Sequence, residues 1–277
     1  MRGDEDGRAR RIEAIAREAF ELFGTGRQVS SFAARFPGFD MGEAYAVAAR
    51  VRDLRAARGE RATGRKIGFT NPIVQRLYGV HGPIWNFMFD STVHDLQAIG
   101  GRLALEGLPE PRIEPEIVLH LAAAPRPDMD DDALLGCVDW VAHGFEIVQS
   151  IFPGWRFSAA DSVAGYGLHG AYCLGPRRHI AGDRRAWARA LSDFAIELSS
   201  DAGAVLEGRA ANVLGGPLKA LRHLALELAS SAPGDPLRPG ELVTTGTLTD
   251  APPVAAGQTW STTLEGVPLD GLRLDLR

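Results

Sequence analysis

The run Arg112-Ile113-Glu114-Pro115-Glu116-Ile117-Val118-Leu119 places two carboxylates two residues apart in an otherwise apolar stretch. Side chains in a strand alternate between faces, so Glu114 and Glu116 project the same way. Two like charges on one apolar face repel each other and are costly to strip of water. A divalent cation removes both problems. Oxygen ligands with no clustered His or Cys point to Mg²⁺ or Mn²⁺. The competing reading is a solvated edge-strand face, with which Pro115 is compatible. A second stretch, Gly144-Phe145-Glu146-Ile147-Val148, holds a third carboxylate in a short apolar run. Three carboxylates would fill one face of an octahedral site and leave positions open for water and substrate. Alternatively, Glu146 points out of a half-buried strand. A third stretch, Gly64-Arg65-Lys66-Ile67-Gly68-Phe69-Thr70, sets Lys66 before a glycine that permits close backbone approach. An ammonium there can hold a carboxylate or an enolate oxygen. Its plainer reading is an exposed lysine at a strand end. The Gly-Lys-Ser/Thr spacing of a phosphate loop is absent.

Other chemically capable residues carry plainer readings. His120 falls on the Glu116 face as a core or rim residue. His143 is expected to end a helix, where a cation suits the dipole. Trp85, Phe87 and Phe89 alternate and form one aromatic face, for core packing or for a pocket. Arg177, Arg178, Arg184, Arg185 and Arg189 read as a solvated basic face.

The elements that must position these residues fall into two textures. The first 60 or so residues are helical by periodicity. Ile12, Ile15, Ala19, Phe20 and Phe23 recur at helical steps, and Gly24 and Gly26 end the run. A second helix fits Gly42–Arg58, with Asp40 as N-cap and Gly59 as stop. From Gly64 onward, short apolar runs alternate with Gly, Pro and Asp clusters, a β-rich signature. Strands are expected over Arg65–Phe69, Glu114–Leu121, Gly144–Ser150, Ala171–Leu174, Phe194–Ser199, Leu242–Thr245 and Thr259–Leu264. Helices are expected over Asp131–Ala142, Asp183–Leu191 and Pro217–Ser230. The expectation is an α+β chain, with a helical N-terminal cap over residues 1–62 and a β-rich catalytic body over 63–277.

Composition bounds the function. The chain has 277 residues, 45% hydrophobic and 23% charged, an ordinary globular balance that argues against disorder. Its formal net charge of −5 argues against nucleic acid as a partner. No apolar stretch is long enough to span a membrane, and the charged N-terminus has no secretory apolar core. Cys137 and Cys173 form neither a metal motif nor a disulfide framework, so a cytoplasmic setting is expected. All 30 basic residues except Lys66 and Lys219 are arginine.

The three stretches, with Ala44-Tyr45, Asp161-Ser162-Val163-Ala164, Val213-Leu214-Gly215-Gly216-Pro217-Leu218 and Leu237-Arg238-Pro239-Gly240-Glu241-Leu242-Val243-Thr244-Thr245-Gly246-Thr247, resemble one family. In order and spacing they resemble the hydratase/decarboxylase branch of the fumarylacetoacetate hydrolase superfamily, typified by 2-keto-4-pentenoate hydratase. The resemblance implies a mixed β-sandwich or roll and a homo-oligomer. It implies Glu114, Glu116 and Glu146 as ligands of Mg²⁺ or Mn²⁺, and Lys66 as the active-site lysine. The hydrolase branch carries a Gly-Tyr-Thr-x-x-Asn-Asp-type stretch around its third carboxylate. Gly-Phe-Glu-Ile-Val-Gln-Ser stands here instead, on the hydratase side.

Two departures bear on the chemistry. Such hydratases carry Pro-Asp-Phe/Tyr-Gly after the lysine strand, and this chain reads Pro83-Ile84-Trp85-Asn86. They carry Asp-Asn-Ala-Ser further on, and this chain reads Gly165-Tyr166-Gly167-Leu168, then His169. Asp90 and His169 are therefore the candidate acid/base replacements. Lys66, Trp85, Asp161, Tyr166 and Thr247 are the expected substrate contacts. The expected substrate is a small 2-hydroxy-2,4-dienoate or 2-oxo-4-enoate acid, as met in meta-cleavage catabolism of aromatic compounds. A cation would polarise C2 and stabilise an enolate, and water would then add at the β carbon. Alternatives are decarboxylation of a vinylogous 2-oxo-diacid, a carbon–carbon hydrolase, and a non-catalytic partner subunit. A distal carboxylate would need a free arginine. Arg65 points to the wrong face, which favours a monoacid with an apolar or aromatic tail.

Overall fold

The computed structural model describes residues 2–71, 75–76, 80, 82–232 and 234–277. Three N-terminal helices come first: α1 (Arg2–Leu22), α2 (Phe32–Arg35) and α3 (Met41–Ala57). The Asp40 carboxylate accepts from the Glu43 backbone N–H and starts α3, as its sequence position implies. Ile15 and Ala19 of α1 pack with Ala44, Val47 and Val51 of α3. The same cluster includes Ile84, Ile151, Phe152 and Val163, so the helices share a core with the β-rich part.

That part holds two sheets. The larger runs in the order β2 (Ile84–Phe89), β1 (Ala62–Gly68), β11 (Leu242–Thr244), β5 (Arg112–Leu121), β6 (Val138–Val148), β7 (His169–Leu174) and β3 (Val93–Asp95). A short β8 (Arg178–His179) pairs with β6. The two edge strands, β2 and β3, are consecutive in the chain, separated only by residues 90–92. The sheet therefore curls back on itself into a roll. Packing shows the same closure: Met88 of β2 and Tyr172 of β7, five places apart in strand order, share one cluster with Val118, Ala142 and Leu242.

The outer face of the roll is apolar too. Ile117, Leu119, Val141 and Val243 pack against helices α5 (Arg184–Ser192) and α6 (Pro217–Ser231) through Trp187, Leu191, Leu221 and Leu224. The smaller sheet runs β10 (Val205–Arg209), β9 (Ala195–Ser200), β12 (Thr259–Glu265), β13 (Arg273–Leu276) and β4 (Arg102–Leu103). It meets the roll through a cluster of Ile113, Phe145 and Ile147 with Leu198, Trp260 and Leu274. No helix among the described residues is long and apolar enough to cross a membrane.

One expected element is corrected. The helix read over Asp131–Ala142 stops at Gly136, as helix α4 (Asp131–Gly136) capped by Asp130. Val138–Val148 is strand, paired with β5 from Arg112↔Val148 to Leu121↔Val138. Local signals start the helix, but the long ladder to β5 decides the rest. His143 accordingly ends no helix. It lies buried mid-strand, with Nδ1 2.9 Å from the Glu116 carbonyl oxygen and Nε2 2.9 Å from Thr262 Oγ1. Burial pushes its pKa down to about 4, so the imidazole is a neutral tie between the two sheets.

Candidate metal centre and cavity

Strand register assembles the charged residues inside the roll. Glu114 and Glu116 share the inward face of β5, and Glu146 of β6 stands opposite Glu114. Their three ligand oxygens lie within 4.8 Å of one another. Residue 144 stands opposite Glu116 and must be glycine, because a Cβ there would lie 2.5 Å from the Tyr172 ring. From β1, Lys66 sends its Nζ to 3.3 Å from Glu146 Oε2 and 2.9 Å from the Gly167 carbonyl oxygen. Gly167, at φ 62°, takes the left-handed backbone that presents this carbonyl.

The charges do not balance. Lys66 and Glu116 are fully buried, as is Glu146, and one cation faces three carboxylates. Burial pushes the Lys66 ammonium down, but the three carboxylates outweigh burial and hold it charged. Burial pushes Glu146 up, but Lys66 and a hydrogen bond from His169 hold it ionised. Glu116 has no such relief, and burial with its two acidic neighbours raises it well above the carboxylate range. Glu114 is pushed up to about 7, chiefly by burial. Glu116 Oε2 accepts from the Gly246 N–H at 3.0 Å, while its Oε1 has no partner. An orphaned buried carboxylate oxygen beside two more carboxylates fits a hard divalent cation.

A cavity of about 370 Å³ opens beside this cluster. Lys66, Glu114 and Thr247 line it, and Phe69, Val148 and Leu168 supply apolar wall. Arg112, Trp155 and Asp250 also line it. None of these three stands among the expected site residues. Arg112 was legible, because it has the parity of Glu114 and Glu116 on one strand. Trp155 and Asp250 carried no local signal.

The other expected site residues lie elsewhere. Asp90 sits four strand positions past Asn86, the partner of Lys66, or ~13 Å of strand. Its carboxylate is engaged by the backbone and side chain of Arg61 at 3.0 Å, at the surface. That ion pair, not proton transfer, is its visible role. His169 is fully buried behind Glu146, with Nδ1 2.7 Å from Glu146 Oε1 and Nε2 2.9 Å from Thr92 Oγ1. It does not line the cavity, so it orients a carboxylate rather than meeting substrate. Trp85 stacks on Tyr45 at 4.9 Å within the apolar core. Asp161 is buried in a capping box with Ser158 and accepts from Ser31 Oγ and the Ala33 N–H. Tyr166 packs edge-on to Phe23 at 4.8 Å, away from the cavity, although its neighbours Gly167 and Leu168 line it. His120 pairs with Asp139 at 2.6 Å and stacks on Trp140.

Comparison with known proteins fixes the family. The chain is 30% identical over 257 residues to the 2-hydroxyhexa-2,4-dienoate hydratase of Comamonas testosteroni, covering 92% of this chain and 94% of that one. It is 32% identical over 259 residues to the 2-keto-4-pentenoate hydratase of Paraburkholderia phymatum, covering 93% and 95%. The chain belongs to the 2-keto-4-pentenoate hydratase family. The fold of this hydratase-family chain agrees. It superposes with a TM-score of 0.87 and 24% identity on 4-oxalocrotonate decarboxylase from Pseudomonas putida G7, complexed with magnesium and adipate, over 97% of this chain and 98% of that one. A fumarylpyruvate hydrolase from Pseudomonas aeruginosa, in complex with Mn²⁺ and pyruvate, matches at a TM-score of 0.56 and 14% identity, over 78% of this chain and 89% of that one. The α+β roll is thus the fold of the fumarylacetoacetate hydrolase superfamily, as the sequence motifs imply. No protein-family model matches the chain.

Proposed function

We propose that the protein is a divalent-metal-dependent hydratase, a carbon–oxygen lyase acting on 2-hydroxy-2,4-dienoate or 2-oxo-4-enoate acids. The observation that carries this reading is the Glu114–Glu116–Glu146 cluster beside a buried, charged Lys66 at the wall of a cavity. The two hydratase relatives, aligned over nine-tenths of the chain, give the reaction class. The reading takes Mg²⁺ or Mn²⁺ as the ion, and a homo-oligomer in the cytoplasm as the working form. It also takes residues 1–62 as a helical cap on a catalytic body of residues 63–277.

The three glutamates would hold the cation, which supplies Lewis-acid polarisation of a 2-oxo acid when bound. Lys66 adds a fixed positive charge at the cavity wall, anchored by Glu146 Oε2 and the Gly167 carbonyl. Such a preorganised charge stabilises negative charge developing on the substrate's C2 oxygen. Thr247 donates its hydroxyl proton to the Thr249 carbonyl oxygen at 2.8 Å, leaving its own oxygen as an acceptor at the wall. The Phe69, Val148 and Leu168 side chains shield the reacting carbons from bulk water. Proton exchange with substrate or water falls to the other titratable groups that line the cavity, Lys66 and Asp250, rather than to Asp90 or His169. The test is to add freshly generated 2-hydroxypenta-2,4-dienoate to chelator-treated protein with and without Mg²⁺. Mg²⁺-dependent loss of the dienol absorbance, with a product heavier by one water, is expected. Loss of CO₂, or cleavage to two acids, would overturn the hydratase reading.

A further inference from the structure

Lys66 is aimed by an unfavourable piece of backbone. Tyr166, Gly167 and Leu168 have φ of 66°, 62° and 65°, three left-handed residues in a row. No other run of such backbone among the described residues holds two residues with a Cβ. Left-handed backbone crowds the Cβ of an L-residue against the carbonyl oxygen that follows it. A conformation of this kind persists only where its surroundings over-determine it, and such strain gathers at functional sites.

The surroundings of this turn hold it from two sides. Its backbone is tied at the far end, where the Leu168 N–H donates to the Gly165 carbonyl oxygen at 3.0 Å and the Gln149 N–H to the Leu168 carbonyl oxygen at 2.8 Å. On one side, Tyr166 is only 4% exposed, and its ring meets Phe23, the residue after α1, edge-on at 4.8 Å. It shares that core with Ile84, Phe152 and Val163. On the other side, the turn presses on Lys66. A Cβ on Gly167 would lie 3.2 Å from Lys66 Cδ and 2.9 Å from Asn86 Cβ. Asn86, the partner of Lys66 across β1 and β2, donates from Nδ2 to the Val163 carbonyl oxygen at 2.7 Å. Val163 belongs to the short helix Ala159–Ala164 that leads into the turn. The Gly167 carbonyl oxygen takes one donor of the Lys66 ammonium at 2.9 Å, and Glu146 lies at 3.3 Å to take another. An ammonium has three donors, so one is left for the cavity that Lys66 lines. A change of hand in the turn would redirect the chain and carry the Gly167 carbonyl away from Nζ.

We infer that Tyr166 is a positioning residue for Lys66: its ring, seated against Phe23, holds the left-handed turn whose Gly167 carbonyl sets the direction of the Lys66 ammonium. This role rests on the proposed use of Lys66 to meet charge on the substrate's C2 oxygen. It gives the helical N-terminal segment a part in the reaction, although none of the described residues before Lys66 lines the cavity.

The test compares Tyr166→Phe, Tyr166→Gly and Tyr166→Ala with wild type, on the full chain with Mg²⁺, well below the melting temperature. Calorimetry uses two probes. Oxalate carries negative charge where the C2 oxygen of an enolate would stand, and pyruvate has a neutral carbonyl there. A correctly aimed ammonium favours the charged probe. Tyr166→Ala should lower the ratio of oxalate to pyruvate affinity about 10-fold, and kcat for 2-hydroxypenta-2,4-dienoate about 10–100-fold, with KM little changed. Tyr166→Phe keeps the ring and should retain most of both. Tyr166→Gly loses the ring but takes left-handed backbone freely, so it should fall between Phe and Ala. A ring that only fills the core would give glycine no advantage over alanine. Three results would overturn the inference: a wild-type ratio and kcat in Tyr166→Ala, an equal loss of both probes, or a glycine variant no better than alanine. If Tyr166→Ala does not fold, Tyr166→Gly must still fall below Tyr166→Phe in ratio and kcat, and equality would overturn the inference. A wild type that turns over no dienoate, but whose oxalate preference shrinks in Tyr166→Ala, would sink the hydratase reading and sustain the positioning role. Dienoate hydration with ratio and kcat unmoved in Tyr166→Ala would do the reverse.

Discussion

Two charged clusters flank strand β1, and they are built on opposite principles. At its start, the Glu60 carboxylate receives Arg55 Nη2 at 2.6 Å and Arg58 Nε at 2.9 Å, with the Ser91 hydroxyl in contact as well. Burial pushes Glu60 up, but these hydrogen bonds together outweigh it and lower its pKa. Six residues on, Lys66 faces three carboxylates, and Glu114 and Glu116 are raised. The same residue types thus titrate in opposite directions, because one cluster is neutralised from within and the other is not. Internal balance marks a cluster that holds the fold together. An unmet surplus of buried negative charge is what a bound divalent cation would neutralise.

The largest test of that contrast is Glu116→Gln. It should lower metal-dependent turnover by at least ~10³-fold, about 4 kcal/mol in the barrier. Calorimetric binding of Mg²⁺ should fall with it. The metal-free variant should melt at or above the wild-type temperature, because a raised, repelled carboxylate has been removed. A clear drop in metal-free melting temperature would make Glu116 a structural anchor and break the comparison.

The next effect is on pH dependence. A carboxyl raised on folding stabilises the protein below its unfolded pKa, and that stability is lost as pH rises through the folded value. For Glu114, raised from 4.5 to about 7, the metal-free protein should lose roughly 2–3 kcal/mol between those limits. Denaturant melts across pH 4–8 measure the loss. Saturating Mg²⁺ should flatten the slope, and an equal slope with and without metal would count against the cluster as a cation site. Glu60 runs the other way: its contribution is present above the ordinary carboxylate pKa and is lost as pH falls through its lowered value. Glu60→Gln should cost about 2 kcal/mol of unfolding free energy, since buried Arg55 loses a charged hydrogen-bond partner. It should leave kcat unchanged.

How far these clusters were legible in the sequence depended on distance along the chain. Glu114 and Glu116 could be read because two residues of strand fix their shared face. Lys66 stood out as one of two lysines among so many arginines. Arg112 has the same parity as Glu114 and Glu116, which places it on their face of the strand. The pairing of Glu146 with His169 needs the β6–β7 register, and the departure at residues 165–169 pointed instead to an acid or base. Asp90 and Asp161 each looked like an available carboxylate, and only tertiary structure shows one taken by Arg61 and the other by a helix start. The helix pattern beginning at Asp131 runs on past Gly136 because Val138, Trp140, Val141 and Ala142 suit a helix or a strand alike. Strands β3 and β8 are two or three residues long and have no period to detect.

The smallest expected effect probes the layer behind the carboxylates. Thr92 Oγ1 lies 2.9 Å from His169 Nε2 and also accepts from the Phe89 N–H at 3.2 Å. Burial lowers the His169 pKa, which keeps the ring neutral, with its Nδ1 proton turned toward Glu146. The carboxylate can only accept, so Glu146 fixes the tautomer, and the Thr92 hydroxyl, with His169 Nε2 and the Phe89 carbonyl oxygen at 3.1 Å as its two acceptors, supports the ring from behind; outer groups of this kind tune metal affinity. Thr92→Ser keeps the hydroxyl and should behave as wild type. Thr92→Val keeps the shape without it, and should weaken Mg²⁺ binding by about 3–10-fold, near the low end for such partners. Its kcat at saturating Mg²⁺ should stay close to wild type, since neither Thr92 nor His169 lines the cavity. A fall in kcat at saturating metal in Thr92→Val, absent in Thr92→Ser, would mean that His169 takes part in proton transfer after all. The line drawn between the orienting layer and the reacting cavity would then have to move.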